Sequence, residues 1–179
     1  MIQKILEIVN DRLNPFVQIH SESEICTRPP GMLIIGDVSE IVSEIREEHN
    51  SYEDPEGVKV PVVYVKIPEK TKTDHIVDLA LENYRDTTYP PNYSVSTPLS
   101  QKLRIFQYYL KTCETRLIIF EKLENILSFN KNKRAEALNL IKIMFKSNCI
   151  PAILISAKKE ITDIIPKDMP VNWVFKMDI

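Results

Sequence analysis

Four runs of this sequence are apolar almost without interruption: "MLII" at 32–35, "VPVVYVKI" at 60–67, "TRLIIF" at 115–120 and "CIPAILIS" at 149–156. A strand with one face in water alternates apolar and polar residues, so a continuous β-rich apolar run is a strand buried on both faces, as in a parallel sheet. Between the runs, apolar residues recur at helical spacing. Ile41, Val42 and Ile45 do so in 39–48, Ile76, Val77, Leu79, Ala80 and Tyr84 in 73–85, and Ala137, Leu138, Ile141 and Met144 in 133–147; 99–112 is a further helix. Strands alternating with helices predict a three-layer α/β fold, with a mostly parallel central sheet covered on both sides. A last strand is expected within "NWVFKMDI", 172–179, and an amphipathic helix over 2–13. Pro29-Pro30-Gly31 breaks the chain before the first strand, "NSYEDPEGVK" and "DTTYPPNYSVSTP" are expected loops, and Thr73 and Asp74 are candidate helix caps.

With 179 residues the chain fits one domain, 1–179, whose core starts at about residue 28. A net charge of −2 gives no global electrostatic case for nucleic acid, leaving only a local basic face to consider. Cys26, Cys113 and Cys149 fall outside any CxxC or Cys/His spacing and read as reduced, inert thiols. His20, His49 and His75 form no metal-ligand pattern and read as surface or capping residues. Ser39 and Ser43 lack the GxSxG elbow of a hydrolase. No apolar run approaches the roughly 18 residues of a membrane span, and the first helix is amphipathic, so a cytoplasmic protein without a membrane partner is expected.

Ligands of such sheets bind where strands end at their carboxyl edges, so the residues after Ile35, Phe120 and Ile155 are the ones to read. Gly36 follows the first strand as in a strand–loop–helix phosphate site. Glycine lets backbone N–H groups approach an anion, yet the chain has only Gly31, Gly36 and Gly57.

The series "RPPGMLIIGD", "VPVVYVKIPEKTKTDHIVDLAL", "TRLIIFEKLENILS", "ALNLIK" and "IPAILISAKKE" resembles the TniB family of transposition ATP-binding proteins, related to TnsC, within the AAA+ P-loop ATPases. The likeness spans roughly residues 28–160. It implies a Walker A loop after the first strand, an Asp-Glu Walker B pair after the second central strand and a polar sensor after the third.

The residues at those positions depart from the scheme. Gly36 and Asp37 match the start of the Walker A loop and Ile41 the helix beyond it, so about four residues, including the second glycine and the lysine, are missing. A register without a gap sets Ile41 at the second glycine, Val42 at the lysine and Ser43 at the Mg²⁺-binding hydroxyl, and it lacks the lysine too. At the Walker B position, one register puts Glu121 at the Asp and Lys122 at the catalytic Glu. The other puts Phe120 at the Asp and Glu121 at the Glu. Ala157 takes the sensor position, and the sequence ends without the helical lid of AAA+ proteins.

A charged lysine cannot serve as the base that activates water. The sequence therefore points to no catalytic residues, no metal and no cofactor. The expected role is a non-catalytic pseudo-ATPase, an accessory or regulatory protein of transposition and other mobile-element recombination, partnered by a transposase, a targeting subunit or an active AAA+ homologue. ATP with Mg²⁺ enters only under the alternative, a remodelled nucleotide site using Ser43 and Glu121. Lys131, Lys133 and Arg134, with Lys142, Lys158 and Lys159 nearby, are either a solvated face or contacts to the DNA backbone.

Overall fold

The computed structural model describes residues 7, 31–70, 72–148 and 150–177. Glu7 is helical and exposed; the remainder of the expected helix 2–13 lies outside the described residues, as do His20, Cys26 and Cys149. In chain order the elements are β1 (Gly31–Ile35), α1 (Ser39–Glu48), β2 (Tyr52–Asp54), β3 (Gly57–Lys59), β4 (Val62–Lys66), α2 (His75–Leu81), α3 (Leu99–Thr112), β5 (Leu117–Glu121), α4 (Lys131–Lys146), β6 (Ala152–Ser156) and β7 (Val171–Lys176).

Five strands form one sheet in the order β4-β5-β6-β1-β7, and every neighbouring pair runs parallel. The apolar runs follow from this arrangement. Leu33, Ile35, Val63, Val65, Ile118, Phe120 and Leu154 face a core closed by α2, α3 and α4. Their alternates Met32, Ile34, Val62, Leu117, Ile119, Ile153 and Ile155 face α1, which buries Ile41, Val42 and Ile45 against them. Each strand residue thus leaves water on one side or the other, gaining about 1.5–3 kcal/mol per large side chain.

Edge strand β4 is protected by a side chain. Asn83 accepts a hydrogen bond from the Tyr64 N–H (2.9 Å) and donates one to the Tyr64 carbonyl (3.0 Å), taking the place of a neighbouring strand.

Several boundaries differ from the sequence expectation for identifiable reasons. Residues 50–59 are not a loop throughout, because β2 and β3 pair as an antiparallel hairpin, Tyr52 opposite Lys59. Asp54 turns the chain by accepting the Glu56 N–H at 2.8 Å, and Gly57 supplies a φ of +121°. Lys59 anchors the hairpin from inside: it is buried and lies 2.7 Å from Glu114, 3.3 Å from Glu56 and 3.6 Å from Asp54. Asp74 makes no side-chain cap, and α2 instead starts on backbone turns such as His75 N–H to the Lys72 carbonyl. Helix α4 begins two residues earlier than its apolar pattern, because the Asn130 side chain accepts the Lys133 N–H at 3.0 Å.

Candidate functional site

The carboxyl ends of β1, β6 and β5 lie side by side, and the chain leaves β1 with α1 on one face of the sheet. That is the crevice at which open α/β sheets hold ligands. Here the connection from β1 to α1 consists of Gly36, Asp37 and Val38 only. Gly36 has φ +130°, and its N–H donates to the Ser156 carbonyl at 2.9 Å. On the other side the Met177 N–H donates to the Ile35 carbonyl at 2.8 Å. The turn is therefore fixed to both neighbouring strands.

Asp37 occupies the amino end of α1. Its Oδ1 accepts the Ser39 N–H at 3.0 Å and is also bonded by the Ser39 hydroxyl. These two bonds, side chain first, hold its carboxyl below the usual carboxylate range, with the charge of Lys122 acting in the same direction. A helix amino terminus favours an anion. In this protein the anion is part of the chain.

Across the crevice β5 ends at Glu121, and Lys122 follows in the left-handed region with φ +63°, uncommon for a residue with a side chain. The chain then enters a 3-10 turn, Leu123–Ser128. Glu124 in that turn accepts the Ala157 N–H at 3.0 Å, linking the exits of β5 and β6. Asn125 donates to the Ile67 carbonyl at 2.7 Å, linking the exits of β5 and β4. Ser156, fully buried at the end of β6, spends its hydroxyl on the backbone of Lys158.

What remains between these groups is a cleft of about 110 Å³, lined by Gly36, Asp37, Ser39, Glu121, Lys122 and Ala157 among others. Pockets for small-molecule ligands usually measure about 300–1,000 Å³. Glu121 is half-buried; burial is the main cause that raises its pKa above the ordinary value, and Glu124 and Asp37 add to the shift while Lys122 and Arg46 oppose it. Among the described residues no group of three or more His, Cys, Asp or Glu side chains could hold a metal ion.

The structure thus gathers Gly36, Asp37, Glu121, Lys122 and Ala157 around one cleft. Phe120 is fully buried on the far face of the sheet with the α2–α4 core. Ser43 stands apart: α1 has already begun at Ser39, Ile41 and Val42 are buried helical residues, and Ser43 is exposed one turn further on. Of the basic trio, Lys131 and Lys133 are exposed on the first turn of α4. Arg134 departs from the expected solvent-facing role, because its guanidinium donates to the carbonyls of Leu127 (2.7 Å) and Phe129 (3.1 Å) and closes the preceding turn. Lys142 pairs with Asp168 at 2.7 Å.

Sequence reasoning missed Glu124, Asn125 and Ser156. Glu124 meets a backbone group 33 positions away, and no local pattern announces such a contact.

The elevated pKa of Glu121 makes a prediction about stability. A carboxyl whose folded pKa is raised binds its proton more tightly in the folded state, so its contribution is fully present below the unfolded pKa and is lost as pH rises through the folded one. Glu121→Gln is therefore expected to stabilise the protein modestly at neutral pH, with the gain vanishing under acid conditions. Urea unfolding at pH 7 and below the ordinary glutamate range checks this; a variant less stable than the parent at pH 7 would contradict it.

The described residues contain no helix long and apolar enough to cross a membrane. Solved structures show where this fold recurs. The Aeropyrum pernix Orc1 protein in complex with DNA superimposes with a TM-score of 0.60 at 9% identity, covering 99% of this chain and 44% of that one. The Walker-type ATPase of Pyrococcus abyssi gives 0.56 at 10% identity over 84% of this chain and 49% of that one. Drosophila ORC bound to AT-rich DNA and Cdc6 gives 0.55 at 12% identity, over 99% of this chain and 29% of that one. The chain thus spans less than half the length of each of these chains. No curated protein sequence matches it significantly. The profile of the family described as bacterial TniB protein matches residues 5–176, nearly the whole chain, and the chain therefore belongs to the TniB family.

Proposed function

We propose that this TniB-family protein, a transposition-related member of the AAA+ fold class, works without hydrolysing nucleotide, as an accessory or regulatory component that acts by binding partners. One observation carries the reading. The connection between β1 and α1 is three residues long, and its own Asp37 carboxylate sits at the helix terminus where a phosphate would bind. A phosphate cradle needs a run of backbone N–H groups curling round the anion, with a lysine reaching the terminal phosphates. In their place stand Asp37 and Glu121, acidic groups flanking a cleft of about 110 Å³.

Lys122 stands where the first register sets the water-activating carboxylate, and its cationic side chain cannot accept a proton. Its role in this reading is electrostatic: from an exposed position it offsets the charge of Asp37 and Glu121, a weak effect that solvent screens. The partner is a transposase, a targeting subunit or an active AAA+ homologue. Lys131 and Lys133 are the residues available for contact with DNA phosphates, an interaction that would be indifferent to sequence and lost steeply with salt.

The test is partner capture by the parent, Glu121→Ala and Lys122→Ala proteins, with and without ATP and Mg²⁺. Equal capture in all six conditions is expected. A nucleotide-dependent interaction that disappears in Glu121→Ala would establish the remodelled ATP site instead.

A further inference from the structure

Between the 3-10 turn Glu82–Tyr84 and α3, residues 85–98 contain no helix or strand. Connections of this length inside a compact domain are uncommon, and when ordered they usually carry a function. This one is fastened along its course. The Thr87 hydroxyl donates to the Tyr84 carbonyl at 2.7 Å, and the Tyr109 hydroxyl, from α3, donates to the Tyr89 carbonyl. Further on, the Tyr93 hydroxyl donates to the Asp78 carbonyl at 3.2 Å, and the Thr97 N–H closes a turn on the Ser94 carbonyl at 3.0 Å. Tyr109 is itself buried, with the rings of Tyr84 and Tyr108 centred 5.2 Å and 5.3 Å from its own.

Between these anchors the segment turns apolar side chains outward. Tyr89 is 82% exposed and Val95 86%, and Pro90 is exposed as well, while Pro91 and Tyr93 are half-buried. Tyr89 and Pro90 each precede a proline, which confines both to extended backbone, and a proline donates no hydrogen bond. Tyr89-Pro90-Pro91 is therefore predisposed to polyproline II, the extended left-handed form without internal hydrogen bonds. An exposed aromatic on such a chain suits two classes of partner: nucleic acid, by base stacking, or a protein groove lined with aromatic rings. Single-strand binders combine their stacking rings with cations that track the phosphates. Residues 86–101 contain no lysine, arginine or histidine, and Asp86 is their only charge. A groove that takes prolines against aromatic rings needs no such charge.

We propose that Tyr89-Pro90-Pro91 is a docking segment for a partner protein that presents an aromatic-lined groove of the kind that accepts polyproline II. The proposal rests on the reading of this protein as one that acts by binding partners, and adds which surface it offers and what groove that surface fits. Tyr89 supplies a large, rigid contact, and Pro90 supplies an apolar face with no backbone donor to desolvate. The bonds from Tyr109 and Tyr93 already hold the chain on either side of the prolines, so little ordering is left to oppose association.

Isolated SH3, WW and EVH1 domains carry such grooves and serve as probes, titrated calorimetrically into the full chain. At least one is expected to bind saturably, and to bind the full chain more tightly than a free peptide of residues 85–97, which lacks the anchors. Tyr89→Ala and Pro90→Ala/Pro91→Ala should each abolish that binding. Tyr89→Ala should melt with the parent, because the hydrogen bonds to Tyr89 end on its main-chain carbonyl, so its loss of binding cannot be ascribed to unfolding. Failure of every domain to bind, binding that survives loss of both prolines, or a free peptide that binds more tightly than the protein overturns the proposal. So does retention of single-stranded DNA that Tyr89→Ala abolishes, which would assign the loop to nucleic acid. No titration contains nucleotide, so failure here leaves the reading of a protein that works without ATP standing, whereas ATP-dependent partner capture would sink that reading alone.

Discussion

Asp78→Ala is expected to lower the stability of this protein by about 3–5 kcal/mol, the usual result of removing one member of a buried ion pair. Lys102, on α3, is fully buried, and its ammonium lies 2.8 Å from Oδ1 and 2.9 Å from Oδ2 of Asp78, on α2. The contact to Oδ2 is the hydrogen bond; Oδ1 is close without being aligned for one. Without the carboxylate the fully buried Lys102 ammonium loses its partner, and a buried charge without one is costly. For a chain of this length each kcal/mol moves the melting temperature by about 2–4 °C, so a fall of roughly 6–20 °C should follow. Replacing both partners with apolar residues, Asp78→Leu with Lys102→Met, should recover most of the loss, because the pair's attraction offsets little more than its own desolvation. Urea unfolding of the single and double variants decides the point. A single variant within about 1 kcal/mol of the parent would show that the pair is not isolated from water as described.

Gly36→Val should be nearly as damaging, by roughly 2–5 kcal/mol, from two separate causes. The residue has φ +130°, a conformation that side chains rarely adopt, and a Cβ built there would stand 2.7 Å from the Cβ of Met177. Adding Met177→Gly to a Gly36→Ala chain removes the collision and leaves the backbone cost, so it should restore only part of the stability. Thermal unfolding of the three variants separates the two contributions, and full recovery in the double variant would show that the backbone conformation is not strained. This position links the fold to the site. Gly36 is wedged between the exits of β6 and β7, and Asp37 binds the first residue of α1, Ser39, so this three-residue turn is fixed at both ends.

The sheet was legible in the sequence because burial on both faces writes itself as an unbroken apolar run, and all four such runs became strands of one parallel sheet. The hairpin at Tyr52–Lys59 was not, because its strands are three residues long and its anchor is a lysine, a residue that normally signals solvent. Lys102 misleads in the same way: its burial depends on Asp78, 24 positions earlier, and pattern alone reads it as surface.

The run from Lys131 to Arg134 read as a single basic face. Helical geometry divides it, sending Arg134 back to the carbonyls of Leu127 and Phe129. The shortness of the β1–α1 connection, in contrast, could be counted directly from residues 36–39. The shape of the cleft could not, since it depends on long-range bonds made by Glu124, Ser156 and Met177.

Whether the folded protein binds nucleotide is the direct test of a protein that acts without ATP. A ligand that binds only the folded state must stabilise it, by about 2.7 kcal/mol at a hundredfold excess over its dissociation constant. In a chain of this length that corresponds to a rise of roughly 5–10 °C in melting temperature. Thermal unfolding in millimolar ATP with Mg²⁺ is predicted to match unfolding in Mg²⁺ alone. A reproducible rise with ATP that is absent in Glu121→Ala would contradict the account and restore a nucleotide to the cleft between Asp37 and Glu121.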